Sequence, residues 1–312
     1  MRAVVVGLGI QGRKRFAVAG SDAVATVDPV AAGATFTRIE DVPLDSYDAA
    51  LVCTPDNPKV ELLSYLLGHG KHVLVEKPLV APDNAALETL KALSARTGAV
   101  CYTAYNHRFE PHLATVKGLL ETGRIGRVYH CRMFYGNGTA RDVRNSPWRD
   151  CDLGVIPDLA SHMLDLCLFW FGTPAGAPQV WTTQRYENAA FDYFLMGFPA
   201  SSPVLKLEGT LLSWRNTFGL DLIGEKGSIH VVGLCKWGPT SLIVRGRVLP
   251  SGKPDEEVQT LEQKDPTWAI EYDHFRTLCT TGGTNIDNDI WINGVLNTLA
   301  ITAGTGAAKA VV

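Results

Sequence analysis

Short runs of β-branched and other apolar residues alternate with longer stretches of helical spacing through the first hundred residues. This alternation is typical of βαβ units, in which helices cover both faces of a parallel sheet. We therefore expect a doubly wound α/β domain. Its predicted strands are Ala3–Val6, Val24–Val27, Ala49–Cys53, His72–Val75 and Val100–Thr103. Its predicted helices include Pro58–Gly68 and Asp83–Thr97, with Asp83 as N-cap and Gly98 as the stop.

The pattern changes after Phe109, where strands come to follow one another without intervening helices. The segment begins with a helix (Pro111–Glu121), a strand (Val128–Phe134), a loop rich in Gly, Arg and Asn, and an apolar helix (Pro157–Phe171). The strands that follow are Gln179–Arg185, Asp192–Gly197, Val204–Leu212, Leu220–Ile223, Ser228–Val232 and Leu242–Val248. This order predicts an α+β domain with a large, mostly antiparallel open sheet.

Two helical segments are expected at the end, one from Asp265-Pro266 and one from about Asp287 to Ala308. We interpret Asn285–Asp289 as the cap of the last helix, because Asn and Asp side chains accept hydrogen bonds from unpaired backbone N–H groups. A length of 312 residues favours two domains. We place them at residues 1–108 and 109–312, and the last helix is a candidate for packing back on the first domain.

Composition limits the possible partners and the compartment. The chain has 29 basic and 32 acidic side chains, a net charge of -3 that is too small to attract nucleic acid or an anionic membrane. No segment reaches the length of a membrane helix, and the apolar run Ala3–Ile10 lacks a signal-peptide pattern. Seven cysteines without a CxxC pair predict reduced thiols in a cytoplasmic protein. We therefore expect neither a nucleic-acid partner nor a membrane.

A glycine motif, Gly7-Leu8-Gly9-Ile10-Gln11-Gly12, directly follows the first predicted strand. In a dinucleotide-binding turn the first glycine allows the tight bend, the second lets the backbone approach a pyrophosphate, and the third lets the helix pack on the strand. Asp28 ends the second strand at the distance where a carboxylate accepts hydrogen bonds from the adenosine ribose. The alternative is a turn without ligand, in which Asp28 is only a turn residue.

Asp28 also predicts the choice of cofactor. Its carboxylate would repel a ribose 2′-phosphate, and Pro29 and Val30 supply no cation to offset that repulsion. The sequence therefore favours NAD over NADP.

Two further segments follow predicted strands and so belong to the carboxyl edge of the sheet, where doubly wound folds bind ligands. They are Thr54-Pro55 and Glu76-Lys77-Pro78. Beside a positively charged nicotinamide, Lys77 would favour its neutral form and could exchange a proton with a substrate hydroxyl. From position alone, a solvent-exposed lysine at a strand end is an equally good interpretation.

The predicted helix Pro157–Phe171 carries Asp158, His162 and Asp165 on one face, at i, i+4 and i+7. In so apolar a helix, ionisable groups are costly unless they are paired or face a ligand cleft. Without other support, a structural Asp-His pair is the better interpretation. A zinc site is a further alternative, but it lacks a fourth ligand at recognisable spacing, so we expect no metal.

Several motifs, taken together and in this order, resemble the Gfo/Idh/MocA family of NAD(P)-dependent sugar and cyclitol oxidoreductases. They are the glycine motif, Thr54-Pro55, the Glu-Lys-Pro at the end of Gly70–Pro78, Tyr105-Asn106-His107-Arg108-Phe109, Gly154–Asp165 and Gly224–Ile229. The resemblance covers essentially the whole chain. It implies an N-terminal Rossmann domain and a C-terminal domain that binds the substrate.

The resemblance also implies roles for individual residues. Lys77, Asp158 and His162 form the catalytic group, and the bond to Pro78 is often cis. The residues implied in NAD binding are Gly7, Gly9, Ile10, Gln11, Gly12, Asp28, Thr54, Pro55, Glu76, Lys77 and Asn106. Those implied in substrate binding are Lys77, Trp148, Arg149, Asp158 and His162. The chain departs from the family pattern at Asp152-Leu153 and Ala160, which replace glycines, and at Lys59, which replaces His.

The sequence thus predicts an oxidoreductase that transfers a hydride between NAD and a secondary alcohol or hemiacetal carbon of a sugar, cyclitol or sugar derivative. The alternative is an NAD-retaining glycosidase, hydro-lyase or epimerase that uses the same residues for transient oxidation. A dinucleotide sensor without chemistry is a third hypothesis, and the presence of Lys77, Asp158 and His162 together argues against it.

Strands such as Val204–Leu207 and Ser241–Val244 offer apolar residues to both faces of the second sheet. An uncovered apolar face would exceed what soluble monomers tolerate. We therefore expect a homodimer or homotetramer that pairs these faces, as the resemblance also implies. The alternative is that the helix near Pro266 or the loops around residue 255 cover the face within one chain.

Overall fold

The computed structural model describes residues 1–147 and 149–302, and the chain divides into two compact units. Residues 1–106 and 266–294 form the first unit. Among the described residues, 107–147, 149–265 and 295–302 form the second. The segment 266–294 therefore belongs with the first strands, whereas the sequence suggested this only for the last helix.

The bounds of the elements are as follows. The α-helices are α1 (Ile10–Ala19), α2 (Lys59–Gly68), α3 (Asn84–Thr97), α4 (Pro111–Glu121), α5 (Ala140–Arg144), α6 (Ser161–Phe171), α7 (Thr267–Thr281) and α8 (Ile286–Thr302). The strands are β1 (Ala3–Val6), β2 (Ala23–Val27), β3 (Ala49–Val52), β4 (His72–Glu76), β5 (Cys101–Ala104), β6 (Val128–Gly136), β7 (Gln179–Gln184), β8 (Tyr193–Phe198), β9 (Val204–Thr210), β10 (Thr217–Gly224), β11 (Gly227–Val232), β12 (Thr240–Gly246) and β13 (Glu256–Leu261).

The first unit contains a parallel sheet in the order β2-β1-β3-β4-β5. The predicted doubly wound α/β domain is confirmed, and each predicted strand lies within one residue of its observed bounds. The two predicted signals of α3 are confirmed as well. Asp83 caps the helix by accepting a hydrogen bond from the Ala85 N–H, and Gly98 ends it in the left-handed region with φ of 72°.

Apolar side chains cover both faces of this sheet. Leu63, Leu66 and Leu67 of α2 belong to one buried cluster, which includes the side chains of Val4 and Val75. On the other face, Tyr272 and Phe275 of α7 pack in a cluster with Ala3, Val5 and Leu74. The burial of these two aromatic rings explains why α7 belongs with the first unit.

The second unit contains an eight-stranded sheet in the order β13-β12-β11-β10-β6-β9-β8-β7. Neighbouring strands are antiparallel except β6 and β9, which confirms the predicted large, mostly antiparallel sheet. The sequence did not predict β13, because Glu256–Leu261 pairs at the edge without burying a side chain and so shows no apolar alternation.

One face of the second sheet is buried, and α4 contacts it at β11 and β12. The side chains that alternate toward this face include Met133, Leu205, Leu207, Leu220, Leu222, Val231, Leu242 and Val244. Helix α6 packs on α4, where the Trp170 indole N–H donates to the Leu113 carbonyl. This unit thus has one layer of helices on one layer of sheet.

The predicted helix Pro157–Phe171 is wrong in its first turn. Ile156–Ala160 is a π-helical turn, and α6 begins only at Ser161. Asp158 and His162 are therefore not i and i+4 of one α-helix, because the wider π turn rotates Asp158 relative to α6. The predicted loop before this turn also contains the short helix α5.

Asn285 and Asp289 do not cap α8 as predicted. Asn285 pairs with the edge strand β5, since its Oδ1 accepts the Thr103 N–H and its Nδ2 donates to the Thr103 carbonyl, both at 2.8 Å. Asp289 is fully buried and accepts hydrogen bonds from Thr103 Oγ1 and the Tyr105 hydroxyl. These polar side chains fasten α8 to the edge of the parallel sheet.

We predict that Asp289→Ala lowers the free energy of unfolding by about 1–3 kcal/mol, because two buried hydroxyl donors lose their acceptor. Urea denaturation followed by circular dichroism measures the change. The control is Asp287→Ala, since Asp287 lies two residues earlier on the same helix and makes an exposed ion pair with Lys91. It should change stability by less than about 0.5 kcal/mol. Equal effects of the two substitutions would contradict the role of Asp289.

Candidate active site

Two glycines allow the turn from β1 to α1 to cross the end of β3. A Cβ atom on Gly7, which has φ of 90°, would lie 2.7 Å from the Cys53 carbonyl oxygen. A Cβ atom on Gly12 would overlap the Gly7 carbonyl oxygen. At Gly9, by contrast, an added Cβ would meet no atom within 4 Å. The turn is therefore closely packed at Gly7 and Gly12 and open at Gly9, just before α1 begins.

Asp28 at the end of β2 fixes this turn. Its Oδ2 accepts the Leu8 N–H at 2.7 Å, and its Oδ1 accepts the N–H groups of Val30 and Ala31. The hydrogen bond from Leu8 is the main cause that lowers the pKa of Asp28, and those from Ala31 and Val30 lower it further. The carboxylate is thus held in its charged form beside the turn.

The residues around the turn fit a dinucleotide. The first N–H groups of α1 have no partner within the helix and attract an anion such as a pyrophosphate. Ile10 at the start of α1 exposes 78% of its surface, which is unusual for an isoleucine and leaves it available to a ligand. The hydroxyl of Thr54, just after β3, is buried and has no hydrogen-bond partner among the described residues. A bound cofactor would supply contacts to these groups.

Glu76 and Lys77 end β4, and the Lys77–Pro78 bond is cis. The Glu76 carboxylate accepts a hydrogen bond from Arg15 Nε at 2.7 Å. The side chain of Arg15 is 1% exposed, and its second partner is the fully buried Glu271 of α7, at 2.6 Å. Burial alone would lower the pKa of Arg15, but Glu271 and Glu76 outweigh it and raise the pKa. The side chain of Glu76 therefore serves a buried ion network within the first unit.

Sequence reasoning missed Arg15 and Glu271. A signal for Arg15 was present, because Gly12, Arg15 and Ala19 are spaced at i, i+3 and i+7 and form the buried stripe of α1. A charged residue on such a stripe requires a buried partner. No local pattern identifies that partner, since Glu271 lies 256 residues further along the chain.

The cofactor-binding residues predicted from the resemblance all lie in the first unit, at or just beyond the carboxyl ends of its strands. Asn106 follows β5, and its Nδ2 donates to Thr267 Oγ1 at 2.9 Å. The predicted substrate-binding residues other than Lys77 belong to the second unit. Among them, Arg149 is partly buried between α5 and the π turn, and Trp148 lies outside the described residues.

Asp165 is engaged in a buried ion pair. It is fully buried and forms a two-pronged ion pair with Arg108, in which Nε and one terminal nitrogen each donate at 2.7 Å. Burial raises the pKa of Asp165, and Arg108 opposes that effect. This pair joins α6 to the short helical turn Asn106–Phe109.

His162 lies in the first turn of α6 and is 6% exposed. Its ring is packed against His107, with 3.8 Å between ring centroids, and Tyr135 of β6 is a further neighbour at 6.2 Å. Lys236 Nζ lies 3.1 Å from the Tyr135 hydroxyl and 3.5 Å from His107 Nε2. Since an ammonium group only donates, His107 Nε2 is the acceptor in this contact. The imidazole of His162 is thus fixed among aromatic rings, with a cation nearby.

His107, Tyr135 and Lys236 were not predicted as parts of this cluster. His107 lies in the motif Tyr105–Phe109 that the chain shares with the family, and this motif could have indicated that His107 belongs to the site. Lys236 follows β11 in a segment without any recognisable motif. Only the pairing of β10 with both β6 and β11 brings that segment near Tyr135.

Within residues 1–147 and 149–302, no group of three or more His, Cys, Asp or Glu side chains is arranged to hold a metal ion. In the same ranges no helix combines the length and apolar character needed to cross a membrane.

Two family models match the chain. The one described as the oxidoreductase family with an NAD-binding Rossmann fold matches residues 1–105, and the one described as the GFO/IDH/MocA C-terminal domain matches residues 113–230. The fold and the glycine turn define the class, a protein with an N-terminal Rossmann dinucleotide-binding domain and a C-terminal α+β domain. Within that class, the chain belongs to the Gfo/Idh/MocA family.

Two individual relatives are each less than 30% identical to this chain. The uncharacterized oxidoreductase YdgJ of Escherichia coli (strain K12) is 29% identical over 192 residues, which are 60% of this chain and 54% of that protein. The scyllo-inositol 2-dehydrogenase (NAD(+)) of Bacillus subtilis (strain 168) is 25% identical over 259 residues, 78% of this chain and 70% of that enzyme. The chain spans about half the length of several curated relatives that it matches.

Solved structures share the fold. A levoglucosan dehydrogenase in complex with NADH and levoglucosan superposes with a TM-score of 0.80 at 17% identity, over 98% of this chain and 97% of that one. An oxidoreductase of Desulfitobacterium hafniense DCB-2, described as putative and NADPH-dependent, gives a TM-score of 0.81 at 15% identity. The superposition covers 94% of this chain and 92% of that one. At these identities the likeness shows the fold alone.

Proposed function

We propose that the protein is an NAD-dependent dehydrogenase that oxidises a secondary alcohol or hemiacetal carbon of a sugar, cyclitol or sugar derivative. The observation that carries the proposal is the buried imidazole of His162, fixed against His107 beside the π turn of Asp158, in a chain with an intact dinucleotide turn. The names of the inositol and levoglucosan dehydrogenases among its relatives support the substrate class.

The proposed chemistry assigns a role to each catalytic side chain. Bound NAD supplies the acceptor for the hydride. His162 takes the hydroxyl proton while the hydride leaves the same carbon, since an imidazole changes charge near neutral pH. Lys77 can also exchange a proton with the substrate hydroxyl, since a lysine beside a cation favours its neutral form. Asp158 orients the substrate and the imidazole. The burial of His162 limits the access of water to the proton that it holds.

We predict that Lys77→Met and His162→Asn each lower kcat by at least about a hundredfold, the usual scale of a general acid-base contribution, with NAD affinity nearly unchanged. A screen of sugars and cyclitols with NAD, followed by NADH absorbance, identifies the substrate. Lys91→Met and His69→Asn are controls in the first unit, at a half-buried and an exposed position respectively.

Near-normal kcat in either catalytic variant would overturn the assignment. Substrate turnover without net formation of NADH would instead indicate an enzyme that retains its cofactor and oxidises the substrate transiently.

We further propose that the protein prefers NAD to NADP because of Asp28. Asp28→Ser combined with Pro29→Arg should narrow or invert the ratio of the two affinities, because it removes a carboxylate and adds a cation where a 2′-phosphate would lie. Titration of each cofactor by protein fluorescence measures the ratio. Equal affinity of the wild-type protein for both cofactors would contradict the proposal.

The outer face of the eight-stranded sheet is the surface through which we propose that two chains pair. It combines exposed apolar side chains with a polar row. The apolar ones include Trp181, Val204, Val232 and Val258, each at least 40% exposed. In the polar row, the Asp221 carboxylate lies 2.7 Å from His230 Nδ1. A mixed face of this kind is typical of interfaces between subunits.

We predict that light scattering at micromolar concentration gives at least twice the 33.8 kDa mass of one chain. Val232→Glu with Val258→Glu should shift the protein toward monomer, because pairing would bury two carboxylates without partners. Val24→Glu, at an exposed position of β2, is the matched control. A monomeric wild-type protein would refute the pairing.

The seven cysteines support a reducing compartment such as the cytoplasm for this enzyme. Each is a free thiol in the structure. Burial raises the pKa of the thiols of Cys101, Cys131 and Cys167, which keeps them protonated and unreactive.

A further inference from the structure

Lys59 is a buried lysine at an unfavourable place in a helix. It is the first residue of α2, where the helix dipole disfavours a positive charge, and it is only 2% exposed. Burying an ammonium group is costly unless acceptors replace the lost water. Two such local conflicts at one residue indicate a role beyond packing.

The partners of Lys59 belong to two different segments of the first unit. Its Nζ donates to Asp56 Oδ1 at 2.7 Å and to the Pro78 carbonyl oxygen at 2.9 Å. Asp56 follows β3, and Pro78 follows β4. Because β3 and β4 are parallel neighbours, both segments leave the same edge of the sheet. One ammonium group therefore ties together the two loops that begin with Thr54 and Lys77.

The residues on both sides of Lys77 accept hydrogen bonds from buried cations. On its N-terminal side, Arg15 holds the carboxylate of Glu76 at 2.7 Å. On its C-terminal side, Lys59 holds the carbonyl of Pro78. The residues on both sides of Lys77 are thus held, Glu76 by its carboxylate and Pro78 by its carbonyl, through interactions that none of the predicted roles assigned.

We propose that Lys59 is a positioning residue, which holds the Lys77–Pro78 segment and thereby sets the place of the Lys77 amine. This inference rests on the proposed function, in which Lys77 touches the substrate. A buried ion pair is weak evidence for stability, since well-packed apolar residues often replace one without loss. The bond to the Pro78 carbonyl instead fixes the geometry of a loop, which is what precise placement of a reacting group requires.

The test compares Lys59→Met and Lys59→Gln with the wild-type enzyme. Methionine removes both hydrogen bonds of the Lys59 ammonium group, and glutamine replaces that group with a neutral amide on a shorter stem. We expect kcat to fall about 10- to 100-fold in both variants, because a misplaced catalytic group loses its productive geometry. NAD affinity and the melting temperature should change little. We also expect faster amide hydrogen exchange at Leu79 and Val80, read by mass spectrometry without any substrate.

Two matched controls isolate the bond to Pro78. Lys71→Met removes another lysine that binds two backbone carbonyls, those of Leu44 and Tyr47, at the opposite end of β4. Asp56→Asn weakens the other partner of Lys59 and leaves the Pro78 bond in place. Both controls should keep kcat within about threefold of wild type.

Wild-type kcat in a folded Lys59→Met or Lys59→Gln protein would overturn the proposal, as would an equal loss in Lys71→Met. Unchanged exchange at Leu79 and Val80 would also overturn it, even when no substrate is known. If no sugar or cyclitol reduces NAD with the wild-type protein, the proposed function fails. The exchange data still decide whether Lys59 holds the segment.

Discussion

The close packing of Gly12 on the Gly7 carbonyl determines where helix α1 starts and in which direction its N-terminus faces. Gly7 in turn lies against the Cys53 carbonyl, so β1, α1 and the end of β3 meet without any side chain between them. A side chain at either glycine would displace α1 from the sheet. The other residues proposed to bind the cofactor depend on this placement, because Asp28 and Thr54 lie at the turn only while the three backbones are in contact.

Buried ions hold the segments that carry Lys77 and His162, in each unit separately. In the first unit, Arg15 and Lys59 hold the residues on either side of Lys77. In the second, the ion pair of Arg108 with Asp165 anchors α6, the helix that carries His162. These pairs bury charges at a cost, and mutational experience shows that such pairs add little stability. Their common feature is that each holds an element that presents a titratable side chain, which favours a role in geometry.

The elements that the sequence predicted well are those whose burial is periodic. Buried runs such as Ala49–Val52 are unmistakable because both faces of a parallel strand are apolar. The strand Glu256–Leu261 could not be found in this way, since it buries nothing and exists only by pairing with β12. The π turn at Ile156–Ala160 was hidden because π and α turns use the same residue types. The roles of Asn285 and Glu271 were hidden because their partners, Thr103 and Arg15, are remote in sequence.

The proposed choice between NAD and NADP depends on the charges and hydrogen bonds around Asp28. In the sequence, the residues that follow Asp28 are Pro29 and Val30, and neither carries a positive charge. The structure adds one, because Arg13 donates from Nε to the carbonyl of Leu8, the same residue whose N–H binds Asp28. Three backbone N–H groups already occupy the Asp28 carboxylate, so one lone pair of Oδ2 remains for a ribose hydroxyl. In the proposed preference for NAD, the negative charge of Asp28 is therefore the main source of selection against a 2′-phosphate. The hydrogen bonds lower the pKa of Asp28 and so favour its charged form, and the exposed guanidinium of Arg13 offsets only a part of that charge through water.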